Sequence, residues 1–514
     1  MSGFDEAWSY LPAYLGAHVL LSMSALLLGI AISLPLAVLA ARLRWLGGAL
    51  LGFAGVVQTI PSLALLALFY PLLLALSHFT TETFGFGFRA LGFLPALLAL
   101  TLYSMLPVLR NTVTALAGMD PAVKMAARGV GMTPWQSLTL VELPLAAPVI
   151  MAGVRTSAVW VIGTATLATP VGQTSLGNYI FTGLQIENWA FVTFGVVAAA
   201  ALALVVDRLL ALAESGLVLR ARGRIFAAAA GLVLVVGASL YPMLGNAGHR
   251  VVIGTKNFDE QYILGKVIAD RLAGAGLAST QRDDLGSSVI FRALAAGDVD
   301  VYVDYSGTIW TNAMKRTDNP GRKAVLDSIA QWTARTHGIR DLGPLGFENA
   351  YALAMRRDRA AALHIHDLAD LANHAGELRI GGDFEIFSRP EWRAVERAYG
   401  LKFAARRQYQ PNLMYSALVS GDVDVITAFS SDGRIARYGL TLLADPRGAL
   451  PPYDAILLVS PAHARDAAFL SALKPLIGAI DLKTMQQANL MVDRAEDKQT
   501  PQQAAHWLEG RIAR

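Results

Sequence analysis

The sequence predicts an α-helical membrane domain of about six spans, followed by a two-lobed α/β domain. Three observations predict it. Charge is unevenly spread: residues 1–245 carry 11 Lys+Arg and 8 Asp+Glu, whereas residues 246–514 carry 32 and 31. A soluble domain averages about 25% charged residues, so the first stretch is too poor in charge for a water-facing surface and the second is ordinary. Six stretches before residue 246 are apolar over the ~20 residues that a spanning helix needs. The remainder alternates strand-like and helix-like segments and contains an internal repeat. A membrane domain over 1–245 and a second domain over 246–514 follow. A simple soluble enzyme and an all-membrane protein are excluded. The net charge of +4 over 514 residues is small and is accounted for by basic loops beside the spans, so no nucleic-acid partner is implied. Without cysteine there are no disulfides, thiolate metal sites, cysteine nucleophiles or lipid-modified cysteine.

The spans are expected at 15–41, 48–76, 90–117, 146–170, 189–213 and 225–245. The first is read as a retained span rather than a cleaved signal. It is long, acidic Asp5 and Glu6 precede it, and further spans follow. The last follows Arg220, Arg222 and Arg224, a pattern that also fits a signal peptide cleaved near Ala247. Arg42 with Arg44, Lys124 with Arg128, and the 220–224 run occupy alternate loops. The opposite loops hold Arg89 as their only basic residue, beside Glu82 and Glu187. The positive-inside rule places the basic loops in the cytoplasm, and the amino terminus and residues 246–514 outside. Pro35, Pro61, Pro71, Pro95 and Pro107 are ordinary in membrane helices. Arg155 falls within the fourth span. An intramembrane arginine is a functional candidate by default, but its place near the cytoplasmic end favours snorkelling to the interface.

The longest inward loop reads DPAVKMAARGVGMTPWQSLTLVELP from Asp120 to Pro144. Asp120-Pro121 is a helix-start signal. Ala122 to Val130 then reads as a short helix, and Gly131 ends it. Such a helix lying along the membrane can dock on a cytoplasmic partner. Here the chain resembles the permeases of ABC importers, whose cytoplasmic loop carries Glu-Ala-Ala, a glycine and a closing Ile-x-Leu-Pro. Ala126 and Ala127 match the alanines, Gly131 the glycine, and Val141-Glu142-Leu143-Pro144 the closing tetrapeptide. Met125 stands where the family has Glu, which removes a charge and keeps the spacing. The resemblance implies a separate cytoplasmic ATPase subunit and a permease homodimer in the membrane lipid. The chain supplies no nucleotide site of its own. In the phosphate-cradling string G-x-x-x-x-G-K-[ST], Gly265-Lys266 would need Ser or Thr next but has Val267, and Glu260 stands in place of the first glycine.

Beyond residue 250, VVIGT (251–255) reads as a strand and 259–275 as a helix. A helix near 288–296 and the strand-like VDVYVDY (299–305) follow. Leu294–Val301 (LAAGDVDV) is echoed by Leu418–Val425 (LVSGDVDV). In both copies a helix is expected to end at Gly and an edge strand to run into a serine-bearing turn, Tyr305-Ser306-Gly307 or Phe429-Ser430-Ser431-Asp432-Gly433. Alternating elements and duplication imply two α/β lobes with ligand at the carboxyl ends of strands.

This half resembles the binding proteins of osmoprotectant importers. The carrying strings are GTKNFDEQYILG (254–265), VDVYVDYSGT (299–308), GFENAYALAMR (346–356), AFSSDGRI (428–435) and PPYDA (451–455). The resemblance implies a two-lobed periplasmic-binding-protein domain, type II-like, and a quaternary ammonium ligand such as glycine betaine, choline or carnitine. Such a head group has no N–H to donate, so aromatic faces must hold it. The family's ring positions fall on Tyr305, Tyr351, Phe429 and Tyr453, with Asn349 bordering them. Phe429 replaces a frequent Tyr and keeps the face without the hydroxyl. A carboxylate on the ligand needs donors, and Lys256, Thr308 and Arg389 occupy those positions; arginine can bind it in bidentate fashion. Ser288 stands where members vary with ligand. Each residue alone has an ordinary reading: a tyrosine in an α/β lobe is usually packing, and Glu260 with Gln261 suits the first turn of a helix. His364 and His366 have no carboxylate cluster around them, so no metal is expected, nor a cofactor or catalytic group.

The combined reading is an inner-membrane importer subunit, a permease fused to its extracytoplasmic binding domain. Ergothioneine, which also carries a trimethylammonium and a carboxylate, is the alternative ligand. A ligand-gated channel would need a pore filter, and no TVGYG-like string is present.

Overall fold

The computed structural model describes residues 3–85, 88, 90–186, 188–244, 250–383, 386–494 and 496–512. Arg89, Glu187, the 245/246 domain boundary and the alternative cleavage point at Ala247 lie outside the described residues. The chain separates into two units, residues 1–181 with 190–247, and residues 182–189 with 248–514.

The first unit is helical. Its elements are α1 (Gly3–Arg42), α2 (Arg44–Thr59), α3 (Ser62–Phe84), α4 (Phe93–Ala117), α5 (Pro121–Gly129), α6 (Pro134–Ser137), α7 (Leu143–Ala165), α8 (Gly177–Gln185), α9 (Trp189–Val218) and α10 (Arg222–Leu244). Among the described residues, six segments are long and apolar enough to cross a membrane: Ala7–Arg42, Ser62–Phe84, Phe93–Ala117, Pro134–Val171, Trp189–Val218 and Arg222–Tyr241. The expected second span, 48–76, is broken. Pro61 has no N–H to give a helix and forces Ile60 into extended backbone, φ −72° and ψ 128°. The chain therefore divides into α2, too short to span, and α3, which is long enough. Among the described residues, all the large apolar side chains that are exposed precede residue 245, except Leu413 and Val419. That exterior suits lipid.

Helix α4 is the core of this unit, packed between α1 and α7. A Cβ at Gly29 would lie 1.7 Å from the Ser104 hydroxyl, and one at Gly153 would lie 2.7 Å from the Pro107 carbonyl. Small residues thus let the backbones approach, the usual currency of membrane packing. The Ser157 hydroxyl donates to the Ser104 carbonyl at 2.8 Å, joining α7 to α4. Arg155 is ion-paired rather than isolated. Its guanidinium is held by Asp207, at 3.0 and 3.1 Å, and by Glu214 at 2.8 Å, both on α9. The arginine reads as isolated in sequence because its partners lie more than fifty residues away.

The loop from Asp120 to Pro144 is ordered as α5, α6, a π-helical turn at Leu138–Glu142 and the start of α7 at Leu143-Pro144. Asp120 caps α5 by accepting from the Ala122 amide at 2.8 Å. Ala127 is buried. Gly131 takes φ +81°, and the Met132 amide closes on the Ala127 carbonyl at 3.1 Å, the left-handed stop expected of a glycine past a helix end. Met125, Val130 and Trp135 are exposed.

The second unit has two sheets. Its strands are β1 (Val251–Gly254), β2 (Ser279–Arg282), β3 (Val301–Tyr305), β4 (Arg340–Glu348), β5 (Tyr351–Arg356), β6 (Arg379–Gly382), β7 (Ala405–Gln408), β8 (Val425–Phe429), β9 (Leu440–Leu443) and β10 (Asp454–Val459). They form sheets of order β2-β1-β3-β10-β4 and β7-β6-β8-β5-β9. The chain crosses between lobes twice, after β4 and after β9. The duplication is structural. Helices Ser287–Ala296 and Pro411–Ser420 end at Gly297 and Gly421, both left-handed. Asp300 then accepts from the Val252 amide at 2.8 Å, and Asp424 from the Arg379 amide at 3.0 Å, pinning each lobe's neighbouring parallel strand. The strands that follow are central, not edge strands as expected. β10 covers β3 and β5 covers β8, each antiparallel and contributed by distant sequence.

Candidate functional site

The paired lobes put equivalent residues at equivalent strand ends. Tyr305 ends β3 and Phe429 ends β8. The serine after each ties its turn to the crossing segments: Ser306 accepts from the Asp454 amide and Ser430 from the Ala350 amide, each at 2.9 Å. The two crossings are bonded to each other, since the Asn349 amide donates to the Tyr453 carbonyl at 2.9 Å. Asn349, Tyr351 and Tyr453 are therefore placed by the hinge itself.

Between the lobes lies a cleft of about 250 Å³. Eight of the nine residues expected from sequence line it: Lys256, Tyr305, Thr308, Asn349, Tyr351, Arg389, Phe429 and Tyr453. Ser288 does not. It lines an adjacent cavity within the first lobe, while its neighbour Ser287 faces the cleft. The helix beginning at Ser287 turns successive side chains by 100°, so Ser287 reaches both the cleft and the adjacent cavity while Ser288 reaches only the latter.

The rings are contiguous. Tyr305 and Phe258 have centroids 6.0 Å apart, Phe258 stacks on Phe429 at 6.2 Å, Phe429 meets Tyr351 at 4.9 Å, and Tyr351 meets Tyr453 edge-on at 5.4 Å. Phe258 was not among the expected rings. Its signal was present in the GTKNFDEQ string, just ahead of the helix Asp259–Gly274. Asn257 and Asp383 also line the cleft and were not anticipated.

Both cationic candidates for binding a ligand carboxylate already have carboxylate partners. Lys256 is paired with Asp304, which also accepts from the Tyr302 hydroxyl and the Tyr305 amide. Arg389 donates to Glu391 at 2.8 Å and to the Tyr453 hydroxyl at 3.4 Å. Thr311, from the first lobe, also donates to Glu391 at 2.8 Å. Burial alone would raise the Glu391 carboxyl, but the Arg389 charge and hydrogen bonds from Arg389, the Tyr453 hydroxyl and the Glu391 backbone hold it below its ordinary value. The Lys256 ammonium and the Arg389 guanidinium each lie 5.2 Å from a ring centroid, those of Tyr305 and Tyr351.

Behind the rings sits Glu260, 2% exposed. It accepts from the Tyr305 hydroxyl at 2.5 Å, from the Asn349 amide at 3.1 Å and from the Asn489 amide at 3.1 Å. Burial pushes its carboxyl above the ordinary carboxylate range, against these donors. Taken together, the cleft offers aromatic faces on one side and two cationic hydrogen-bond donors on the other. That combination suits a small molecule with a bulky cationic head and a carboxylate.

Comparison with known proteins gives a consistent picture. A family described as the substrate binding domain of ABC-type glycine betaine transport systems matches residues 249–510. A second, the binding-protein-dependent transport system inner membrane component, matches residues 33–218. The ergothioneine transport permease/ergothioneine binding protein EgtU of Helicobacter pylori strain G27 is 29% identical over 86% of this chain and 80% of its own length. The permease protein OpuCB of a glycine betaine/carnitine/choline transport system of Bacillus subtilis strain 168 is 42% identical over 39% of this chain and 84% of its own. A crystal structure described as a glycine betaine/carnitine/choline ABC transporter covers 51% of this chain and 98% of its own, with 28% identity and a TM-score of 0.45.

Proposed function

The chain belongs to the substrate-binding-domain family of ABC-type glycine betaine transport systems, fused behind an importer permease, and on that premise we propose that it captures a quaternary ammonium osmoprotectant and passes it inward. The protein is a multi-pass inner-membrane transporter subunit. Residues 1–245 form the permease in this reading, and residues 246–514 the extracytoplasmic capture domain. The observation that carries the ligand class is the row of five rings in the inter-lobe cleft, Tyr305, Phe258, Phe429, Tyr351 and Tyr453. Methylated ammonium is held by ring faces because it cannot donate a hydrogen bond. Arg389, Lys256 and Thr308 then receive a carboxylate.

Transport is driven by a separate ATPase that docks on the Asp120–Pro144 loop. Ala126, Ala127 and Gly131 set the shape of its surface helix, and Leu143 with Pro144 joins it to α7. Two copies of the permease complete the pore. The covalent fusion keeps the capture domain at high effective concentration over that pore.

A second ligand has its own support. A relative that matches across 86% of the chain is named for ergothioneine. Ergothioneine carries the same trimethylammonium and carboxylate. Calorimetric titration of the full-length protein in lipid nanodiscs with glycine betaine, choline, carnitine, proline betaine and ergothioneine tests both readings. Saturable binding of at least one is expected, and the tightest identifies the cargo. Failure of all five overturns the ligand class.

A further inference from the structure

Three cations around the cleft have carboxylate partners. Lys256 has Asp304, and Arg389 has Glu391. Arg434, just behind, has Asp432 at 2.9 Å, with Asp259 and Asp493 at 3.9 and 3.8 Å. Among the described residues Glu260 makes no ion pair, and its hydrogen bonds come from the neutral donors Tyr305, Asn349 and Asn489, with the neutral Ser431 also acting on it. A buried carboxylate lacking a counter-charge is costly, so its position calls for a reason.

Arg434 lines the same void as Glu260, but its charge is taken up by Asp432, Asp259 and Asp493. Asn349 and Asn489 spend their amide N–H groups on Glu260, and their carbonyl oxygens are left without a hydrogen-bond partner. Both amides, with Glu260, line a void of about 20 Å³ that shares Phe258, Asn349 and Phe429 with the main cleft. The carboxylate therefore stands one residue behind the cage, separated from its interior by the ring of Tyr305 and the side chain of Asn349.

We infer that Glu260 is the counter-charge for the ligand's cationic head, a positioning residue that works through Tyr305 and Asn349 without touching the ligand. The inference rests on the quaternary ammonium reading given above. A trimethylammonium cannot hydrogen-bond to a carboxylate, so the attraction between them is Coulombic and has no directional requirement for contact. Coulombic attraction falls only as the inverse of distance and is strong where water is excluded. A carboxylate behind the ring also draws on the Tyr305 hydroxyl and enriches the ring that faces the cation. Arrival of the cation in turn favours the ionised form of Glu260. The site is thereby selective for charge and not only for shape.

Isosteres separate those two properties. Choline differs from 3,3-dimethyl-1-butanol, and glycine betaine from 3,3-dimethylbutanoate, by one quaternary nitrogen exchanged for carbon. Binding of both pairs is measured by calorimetry, with competition for weak ligands, on full-length protein in nanodiscs. Glu260→Gln keeps size and the oxygen that accepts from Tyr305 and Asn349, and removes the charge and the acceptor facing Asn489. It is expected to weaken choline and glycine betaine by about tenfold or more and to move the carbon isosteres by less than about twofold. A purely structural role would weaken each cation and its isostere alike, and that result overturns the inference, as does unchanged affinity for the cations. Should Glu260→Gln fail to fold, Tyr305→Phe keeps the ring and cuts its link to Glu260. It is expected to weaken the cations selectively, and equal loss across each pair overturns the inference equally. If wild-type protein binds no trimethylammonium compound at all, the functional reading has failed. If it binds them and the variants bind them as well, only the role of Glu260 has.

Discussion

Arg389 shows how single residues here serve two masters. In sequence it reads as a clamp for a ligand carboxylate, and in the structure it is also the counter-ion of Glu391, which is 1% exposed. Arg389→Ala alone would strand Glu391, so the informative variant is Arg389→Ala with Glu391→Gln. A charge-assisted donor is worth about 1.5–3 kcal/mol. The double variant is expected to weaken glycine betaine by about tenfold to a hundredfold and choline, which has no carboxylate, far less, by calorimetry. Tyr305 teaches the same lesson. A ring face alone predicts that Phe serves as well as Tyr, but the hydroxyl also donates to Glu260 and accepts from Gln261 at 2.9 Å. Asp284 carries a pH signature. Burial, then the nearby Asp283 charge, raises its carboxyl from 3.8 to about 8, while the hydrogen bond from Tyr262 opposes them. The folded state thus binds the proton more tightly than the unfolded chain. The stabilisation is complete below 3.8 and is lost as pH rises to about 8. Asp284→Asn stays neutral throughout and suits the left-handed backbone there, φ +64°. It is expected to flatten the fall in Tm between about pH 5 and about pH 8. An Asp284→Asn slope equal to that of wild type refutes the assignment.

Elements were legible where local pattern decides them. The α5 stop at Gly131 was readable because cap chemistry is local, and so were the paired helix ends at Gly297 and Gly421. What sequence could not show was pairing at a distance. The strands after each repeat look like edges because nothing nearby in sequence announces β10 or β5. The break at Pro61 was hidden by continuous apolar flanks on both sides. Arg155 was misread for the same reason, its partners being on α9. That triad makes a sharp test of helix pairing. Arg155→Leu leaves Asp207 and Glu214 uncompensated beside the apolar region, at a cost of about 2–3 kcal/mol. Thermal denaturation in detergent should show a lowered Tm, and replacing Asp207 and Glu214 with Leu in the same background should recover most of it. A single variant as stable as wild type would show that the triad is ornamental.

At the level of the molecule, the charge asymmetry between halves was enough to separate membrane from water-facing chain before any element was assigned. Orientation follows from the same charges. Reporter fusions after Arg44, Gly131 and Arg222 should read cytoplasmic, and fusions after His78, Gly177 and Gly248 external. A cytoplasmic signal at Gly248 defeats the tethered-capture arrangement. Seven of the nine expected binding residues were read from strings at strand ends, where the fold gathers them, and Arg389, just ahead of the helix Pro390–Tyr399, joins them in one cleft. Phe258 escaped although its string was read, because it stands just ahead of a helix where a ring has no local mark, and Glu260 has an ordinary explanation in the first turn. The double crossing between lobes has a consequence for biogenesis. β10 lies between β3 and β4, with Ala455 opposite Tyr305, yet it is among the last strands to be synthesised. All five strands of the second sheet precede it. As the chain emerges vectorially, the second lobe can close while the first still holds two open strand borders awaiting their partner. Nascent chains stopped before Asp454 would thus carry one finished lobe and one adhesive one, which makes the final stretch of translation the moment of greatest exposure to aggregation and to proteolytic quality control.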